Sequence, residues 1–501
     1  MLLSFFFWSF SFRRGVFCQF GKNRSFFAPY SRFFFTISYI LFRKRPHTNK
    51  NSMARTIQIQ SIALSGFKNV ANGSVCFKNN IVGIYGQNGS GKTAVIDALG
   101  VFKNVASGGP LPKTSGDFVM CGKKLAECTI TFCVLREDGE GDGSLEYEFK
   151  FGNKPQGGVE IVFEQISERK DAEAKRNILR IDRAEEKKWL APASDWNQLV
   201  SGKENSIKIG VIREITSIEG RSFVFSKELG KFIEASDALA EKRDAIRDIA
   251  LFARENLFVV KNCGFGPFNI DFSFPFNFRH VENRNLSFGT LPMTLQGPNV
   301  FDNDLFDLVE KSFEEMNVVL GEIIPKLAVV VKNEGVQQTE QGKEGVRFEL
   351  LSRKGDSQEI PLRYESEGVK KIISILSLLI SVYNNPSAFL AVDELDAGMF
   401  EYLLGEILRI LEEKAKGRLL FTSHNLRPLE MIGKESMVFT TANPSNRYIR
   451  LSGIQANNNP RSVYLRSIAL GGQKEDVYVG TNSFRIDRAF RNAWKACDGQ
   501  D

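Results

Sequence analysis

Histidine is nearly missing from this 501-residue chain, which has three: His47, His280 and His424. Three imidazoles so far apart in sequence are poor material for a His-rich metal centre or for an H-N-H type of nuclease site. Cysteine is sparse too, with seven residues at 18, 76, 121, 128, 133, 263 and 497 and no C-x-x-C pair. That spacing provides neither a disulfide framework nor a zinc ribbon, and it reads as reduced thiols of a cytoplasmic protein. After residue 52 no apolar run is long enough to span a bilayer, so no membrane partner is expected. Heptads do not persist over three repeats and no 20–50-residue repeat is visible, which argues against a coiled-coil arm and a solenoid.

Acid is wholly absent from residues 1–52, which hold nine Lys or Arg and 13 of the 43 phenylalanines. The overall charge of +7 comes from this leader. Without it, 53–501 carries 57 basic against 59 acidic residues, a net of −2. Global charge therefore gives no support to nucleic-acid binding, and only a local patch could. The leader reads as a targeting segment, as a membrane-associating tail, or as sequence upstream of the true start at Met53, the reading preferred here. Met53-Ala54-Arg55-Thr56-Ile57-Gln58-Ile59 leads at once into an alternating strand.

Against these absences stands Gly86-Gln87-Asn88-Gly89-Ser90-Gly91-Lys92-Thr93, which fits the phosphate-loop pattern at every fixed position. Its glycines let the backbone curl until N–H groups point at a phosphate. Lys92 is suited to reach the β and γ oxygens, and Thr93 to ligate Mg²⁺. The flanks agree: Ile81–Tyr85 reads as a buried strand and Ala94–Leu99 as the opening of a helix.

Three further segments lie within about sixty residues of one another. Phe389-Leu390-Ala391-Val392-Asp393-Glu394 is an apolar strand delivering two acids. Asp393 is suited to hold Mg²⁺ and Glu394 to orient or deprotonate a water, although an acidic helix cap would look the same. Leu419–Asn425 is a second apolar strand ending at His424, whose imidazole could donate to a γ-phosphate or merely cap the strand. Upstream, Glu365-Ser366-Glu367-Gly368 opens an apolar helix, either as a capping box or as a start whose N–H groups face an anion.

In this order and spacing, and together with Gly66-Phe67-Lys68-Asn69, the set resembles the ABC-type ATPase head of SMC, RecF and OLD-like proteins. It is most similar to bacterial AAA family ATPases that serve phage-defence systems such as Septu and PARIS. The resemblance covers about 53–150 and 345–455. It implies an α/β P-loop fold, ATP and Mg²⁺ as cofactors, and ATP hydrolysis with Lys92, Glu394 and His424 in catalytic roles. It further implies that residues 86–93 cradle the phosphates and that Asp396 sits in the loop at a dimer seam. Ser366 and Gly368 would act on the nucleotide of a second copy. Glu367 departs from the transporter-type signature, which carries glycine there, and no glutamine can be placed as the family's Q-loop residue.

The implied organisation is a leader (1–52), an N-terminal ATPase lobe (53–150), a mainly helical insertion (151–345), a C-terminal ATPase lobe (346–455) and a tail (456–501). Within the insertion the charged stretch Glu168 to Lys188 reads as one solvent-facing helix. Ala245, Ile246, Ile249, Ala253 and Leu257 read as a second helix, and Leu305 to Ile324 as a third. Phe265 to Arg284 reads as an irregular loop. The function implied is an ATP-driven switch that dimerises head-to-head and drives a nuclease or other effector subunit in defence or DNA repair. A DNA clamp is the alternative, using Lys170, Arg176, Arg180, Lys187 and Lys188. A transporter motor is disfavoured by the 274 residues between Lys92 and Ser366, and a built-in OLD-type nuclease by the 77 residues after His424.

Overall fold

The computed structural model describes residues 55–136, 141–170, 174–186, 188–193, 202–234, 239–261, 273–282, 285–339, 341–455 and 458–498. The leader, its Cys18 and the Met53 start lie outside them, as do Cys263, Lys187 and residues 265–272.

The chain opens with β1 (Thr56–Phe67), which turns at Lys68 into β2 (Val70–Cys76). Next come β3 (Ile81–Tyr85), buried on both faces, and α1 (Lys92–Ala106). Long antiparallel strands follow: β4 (Leu125–Leu135), β5 (Gly141–Asn153), β6 (Val159–Arg169), β7 (Arg176–Asp182) and the short β8 (Leu190–Ala191). With β1 and β2 they form one antiparallel sheet in the order β2-β1-β4-β5-β6-β7-β8. Alternation drives it: Ala126, Cys128, Ile130, Phe132 and Val134 of β4 point into the core while the residues between them do not. Then come α2 (Lys203–Ile218), α3 (Lys227–Glu234) and α4 (Ala240–Leu251), and α4 passes through a π-helical turn into β9 (Leu257–Val260).

A hairpin of β10 (Phe274–Glu282) and β11 (Asn285–Met293) follows, then β12 (Asn299–Asp302), α5 (Asn303–Ile323), β13 (Leu327–Gln338), β14 (Glu344–Lys354) and β15 (Ile360–Pro361). The chain then forms α6 (Glu367–Asn384), β16 (Phe389–Val392), α7 (Glu401–Lys414), β17 (Arg418–Thr422), β18 (Met437–Thr440) and β19 (Tyr448–Ile449). The helices α8 (Pro460–Leu470) and α9 (Ser483–Asp498) complete it.

The central sheet has the order β19-β18-β3-β17-β16-β9 and is parallel except for β19. Its strands are continuous apolar runs because both faces are covered. Phe389, Ala391 and Leu420 face a core shared with α1 and the antiparallel sheet. Leu390, Val392, Leu419 and Phe421 face a second core with α6 and α7. A third core joins β10, β11, α5, β13 and β14, where Phe276 stacks on Phe313 at 4.6 Å. The helix α6 belongs to two of them, sending Ile375, Leu378 and Val382 into the second and Ile372, Ile373 and Leu376 into the third.

The fold is mixed α/β, but residues 151–345 are as much strand as helix, so the mainly helical insertion is corrected. Residues 150 and 345 both fall inside strands, β5 and β14, and β9 from this stretch is an edge strand of the central sheet. The single helix expected over Glu168 to Lys188 is instead the end of β6 and β7, where Ile178, Leu179 and Ile181 are buried beneath a charged outer face. Leu257 starts β9 rather than ending a helix, since α4 stops at Leu251. Part of the expected irregular loop is β10: Phe274, Phe276 and Phe278 alternate inward, a period of two that the prolines and asparagines mask.

Candidate functional site

The site is built where β3 hands over to α1 at the C-terminal edge of the parallel strands, the usual place for a ligand in such sheets. Gly86, Gly89 and Gly91 take φ values of 153°, 74° and 96°. A Cβ at Gly86 would lie 1.8 Å from the Thr440 hydroxyl oxygen, so no other residue fits there without displacement. The curl is braced from the C-terminal half of the chain. Ser90 Oγ meets Thr440 Oγ1 at 2.5 Å, Tyr448 Oη donates to Gly91 O at 2.7 Å, and Arg447 Nη2 donates to Asn69 O at 2.6 Å. The start of α1 has no side-chain cap, which leaves its N–H groups for an anion.

Lys92 is 7% exposed and its Nζ donates to Gly86 O at 2.8 Å and Gln87 O at 3.1 Å. Burial pulls its pKa down, while Glu394, Asp393 and Asp396 oppose that pull. The opposite wall comes from the end of β16. Asp393 Oδ1 accepts from Thr93 Oγ1 at 3.2 Å and from Thr422 Oγ1 at 2.6 Å, which joins residues 300 positions apart. Glu394 N donates to the same Thr422 oxygen at 2.7 Å, and Glu394 sits in the left-handed region with φ 48°, a costly conformation for a non-glycine residue. Lys371 of α6, 2% exposed, donates to the Glu394 carbonyl. Its pKa is pushed down to about 8 by burial, against the attraction of Asp396, Glu394 and Asp393.

Between the walls lies a cleft of about 610 Å³ that brings together Lys92, Thr93, Asp393, Glu394 and His424. Asn88, Gly89 and Gly91 line it too, with Lys68 and Asn69 from the β1–β2 turn. His424 is exposed, and its backbone N–H and that of Asn425 donate to Asp396 Oδ2 at 3.1 and 2.9 Å. Gln87 is not among the residues lining the cleft, and its side chain pairs with the backbone of Val479. Ser366 and Gly368 are not brought to the cleft of their own chain. Ser366 caps α6, its Oγ accepting from Val369 N at 3.3 Å, and Gly368 packs on Gly398.

The residues present fit a magnesium–nucleoside triphosphate. A glycine cradle and an uncapped helix start suit phosphate oxygens, a buried ammonium supplies positive charge, and Thr93 with Asp393 offers hard oxygen ligands. Sequence reasoning missed Thr422, Thr440, Arg447, Tyr448, Lys371, Lys68 and Asn69 as parts of this site. Thr422 stood two residues before His424, and Lys371 soon after the Ser-x-Gly start, so position relative to the motifs was the available signal.

Of the basic residues considered for a DNA surface, the two arginines are ion-paired. Arg180 pairs with Asp182 at 3.0 Å and Glu185 at 3.3 Å, and Arg176 with Glu168 at 3.4 Å. Among the described residues no helix is long and apolar enough to cross a membrane.

Residues 61–261 match the family model described as an AAA domain. No curated protein matches the chain. Among solved structures, the chain is similar to the Smc head domain with an extended coiled coil bound to the C-terminal domain of ScpA from Pyrococcus furiosus. Identity is 13% and the TM-score 0.38, over 79% of this chain and 96% of that one. The SMC head domain from Thermotoga maritima gives 12%, 0.35, 79% and 99%, and the Smc head domain with a coiled coil and joint from Pyrococcus yayanosii gives 11%, 0.39, 82% and 99%.

Proposed function

We propose that the chain binds ATP with Mg²⁺ in this cleft, hydrolyses it, and works as a switch that closes head-to-head with a second copy and drives an effector subunit. The observation that carries the reading is the joining of Thr93 to Asp393, in a cleft that also holds Lys92 and Glu394. Mg²⁺, held by Thr93 and Asp393, would neutralise charge on the phosphates. Residues 86–91 and Lys92 bind and orient the triphosphate. Lys92 gives up its contacts to Gly86 O and Gln87 O for phosphate oxygens. Glu394, fixed by Thr422 on one side and Lys371 on the other, orients and deprotonates the attacking water. His424 donates to the γ-phosphate, and its link to Asp396 carries the state of that phosphate to the loop before α7.

Ser366 and Gly368 lie outside their own cleft, which supports their acting on the nucleotide of the second copy. An ATP-fuelled movement of α6 would reach the third core directly, because that helix is packed in it. The resemblance to defence ATPases makes a nuclease the effector proposed, in a cytoplasmic defence or repair complex. The ion-paired arginines favour a protein effector over DNA.

Lys92→Ala should weaken ATP binding by at least about tenfold, as loss of charge-assisted phosphate contacts demands. Glu394→Gln should keep binding and lower turnover by about 10²–10⁴-fold. Calorimetry and a phosphate-release assay read both. Normal turnover by Glu394→Gln would remove the assigned base.

A further inference from the structure

We propose that α9 is a clasp between two copies of the chain: in the ATP-closed dimer its Phe484, Ile486 and Phe490 pack against Tyr364, Phe400 and Tyr402 of the second copy. The proposal rests on the head-to-head reading above and adds a surface to it.

The helix is rooted at the phosphate loop. Gln87 Oε1 accepts from Val479 N at 3.1 Å and Gln87 Nε2 donates to Val479 O at 3.4 Å, a two-point pairing. The segment before it is pinned as well: Val477 is 3% exposed in the second core, Ala442 N donates to Asp476 O at 2.7 Å, and Glu475 accepts from Asn443 and Asn446. Since α9 begins four residues after Val479, its start stands within about 14 Å of Val479, the residue that Gln87 holds. Yet its apolar side chains have little cover. Phe484 is 71%, Ile486 45% and Phe490 74% exposed. Ile486 and Phe490 share one face, about 40° apart, while Phe484 in the first turn points about 120° from Phe490, so the apolar surface wraps around the start of α9. Apolar side chains exposed close together on one element mark a docking surface more often than an idle one.

A second aromatic patch surrounds the start of α6. Tyr364, 69% exposed, comes two residues before Ser366. Phe400 and Tyr402, 69% and 52% exposed, stack at 5.8 Å, and Arg427 lies 4.2 Å over the Tyr402 ring. Gly368 against Gly398 fixes the α6 start to the turn leading into Phe400. This is the region that must approach the phosphate loop of the other copy if Ser366 is to reach its nucleotide. The phosphate loop is where α9 stands. A two-fold axis then brings each patch onto the other, twice.

Charge agrees with this occupant. Over Ser483–Ala493, α9 carries Arg485, Arg488 and Arg491 against one acid, Asp487, which pairs with Arg491. The start of α7 offers exposed Glu401 and Glu406. Covering six such side chains in each of two copies removes about 1,200 Å² from water, above the roughly 1,000 Å² a specific interface needs.

The test uses the full chain carrying Glu394→Gln, with the photo-reactive residue p-benzoylphenylalanine at position 490, mixed from isotope-labelled and unlabelled batches. With ATP and Mg²⁺, irradiation should join position 490 of one copy to residues 400–402 of the other, and without ATP it should not. On the same background, Phe484→Glu with Phe490→Glu should raise the dimer dissociation constant at least about tenfold while leaving binding of a fluorescent ATP analogue to the monomer unchanged. An ATP-dependent dimer that forms equally tightly with both glutamates, or cross-links confined to one chain, would overturn the clasp alone. If the Glu394→Gln parent forms no ATP-dependent dimer, the head-to-head reading falls and the clasp with it.

Discussion

Thr422 shows how much a single hydroxyl organises here. It donates to Asp393 and accepts from the Glu394 N–H, so both acids depend on it for their aim. Thr422→Val keeps the shape and removes both bonds. Turnover should drop by roughly 30-fold, as two lost bonds of about 1 kcal/mol each predict, with folding retained by circular dichroism. Lys371 makes a pH prediction. Its pKa is about 8 in the folded chain against an unperturbed 10.5, so between those values the unfolded state binds more protons. Stability therefore rises with pH across that window, and below pH 8 the burial penalty is fully present. Lys371→Met abolishes this dependence. Urea unfolding of the two proteins should diverge in favour of the wild type from pH 8 to 10, by at most about 1.4 kcal/mol per pH unit. The residues of the phosphate loop and the acidic strand were legible in the sequence because their chemistry demands fixed local spacing. Thr440, Arg447 and Tyr448 were not, because they reach the loop only after 350 intervening residues have folded.

Among the elements, α6 couples the most. Its continuous apolar text reads as one buried helix, and the structure divides that text between two cores, with Ser366 at the tip. Its entry depends on Gly368, where a Cβ would sit 1.9 Å from the Gly398 carbonyl. That obstacle is backbone and cannot swing aside. Gly368→Ala should cost about 1–3 kcal/mol by thermal or urea unfolding and should reduce turnover, while the cleft still binds ATP. The elements misread from sequence share one cause. In β10 the buried residues alternate, and in β7 Leu179 and Ile181 do so beside a register shift at Ile178, but prolines in one and charges in the other mask the pattern, and strand pairing supplied by distant partners decides the outcome.

Across the whole molecule, the stretch between the two motif groups is part of the core rather than an appendage. It completes the antiparallel sheet with β6 to β8, adds β9 to the central sheet beside β16, and builds the third core around Phe276 and Phe313. The motif spacing foretold that the two ends meet, and it carried no information on what lies between. The central claim is that the glycine cradle and the acids after β16 make one magnesium–triphosphate site. Calorimetric ATP titration of Asp393→Asn, with and without Mg²⁺, tests it most directly. The account predicts that the variant loses at least about tenfold in affinity only when Mg²⁺ is present, whereas Lys92→Ala loses affinity in both conditions. Equal Mg²⁺-dependent affinity in Asp393→Asn and the wild type would contradict it.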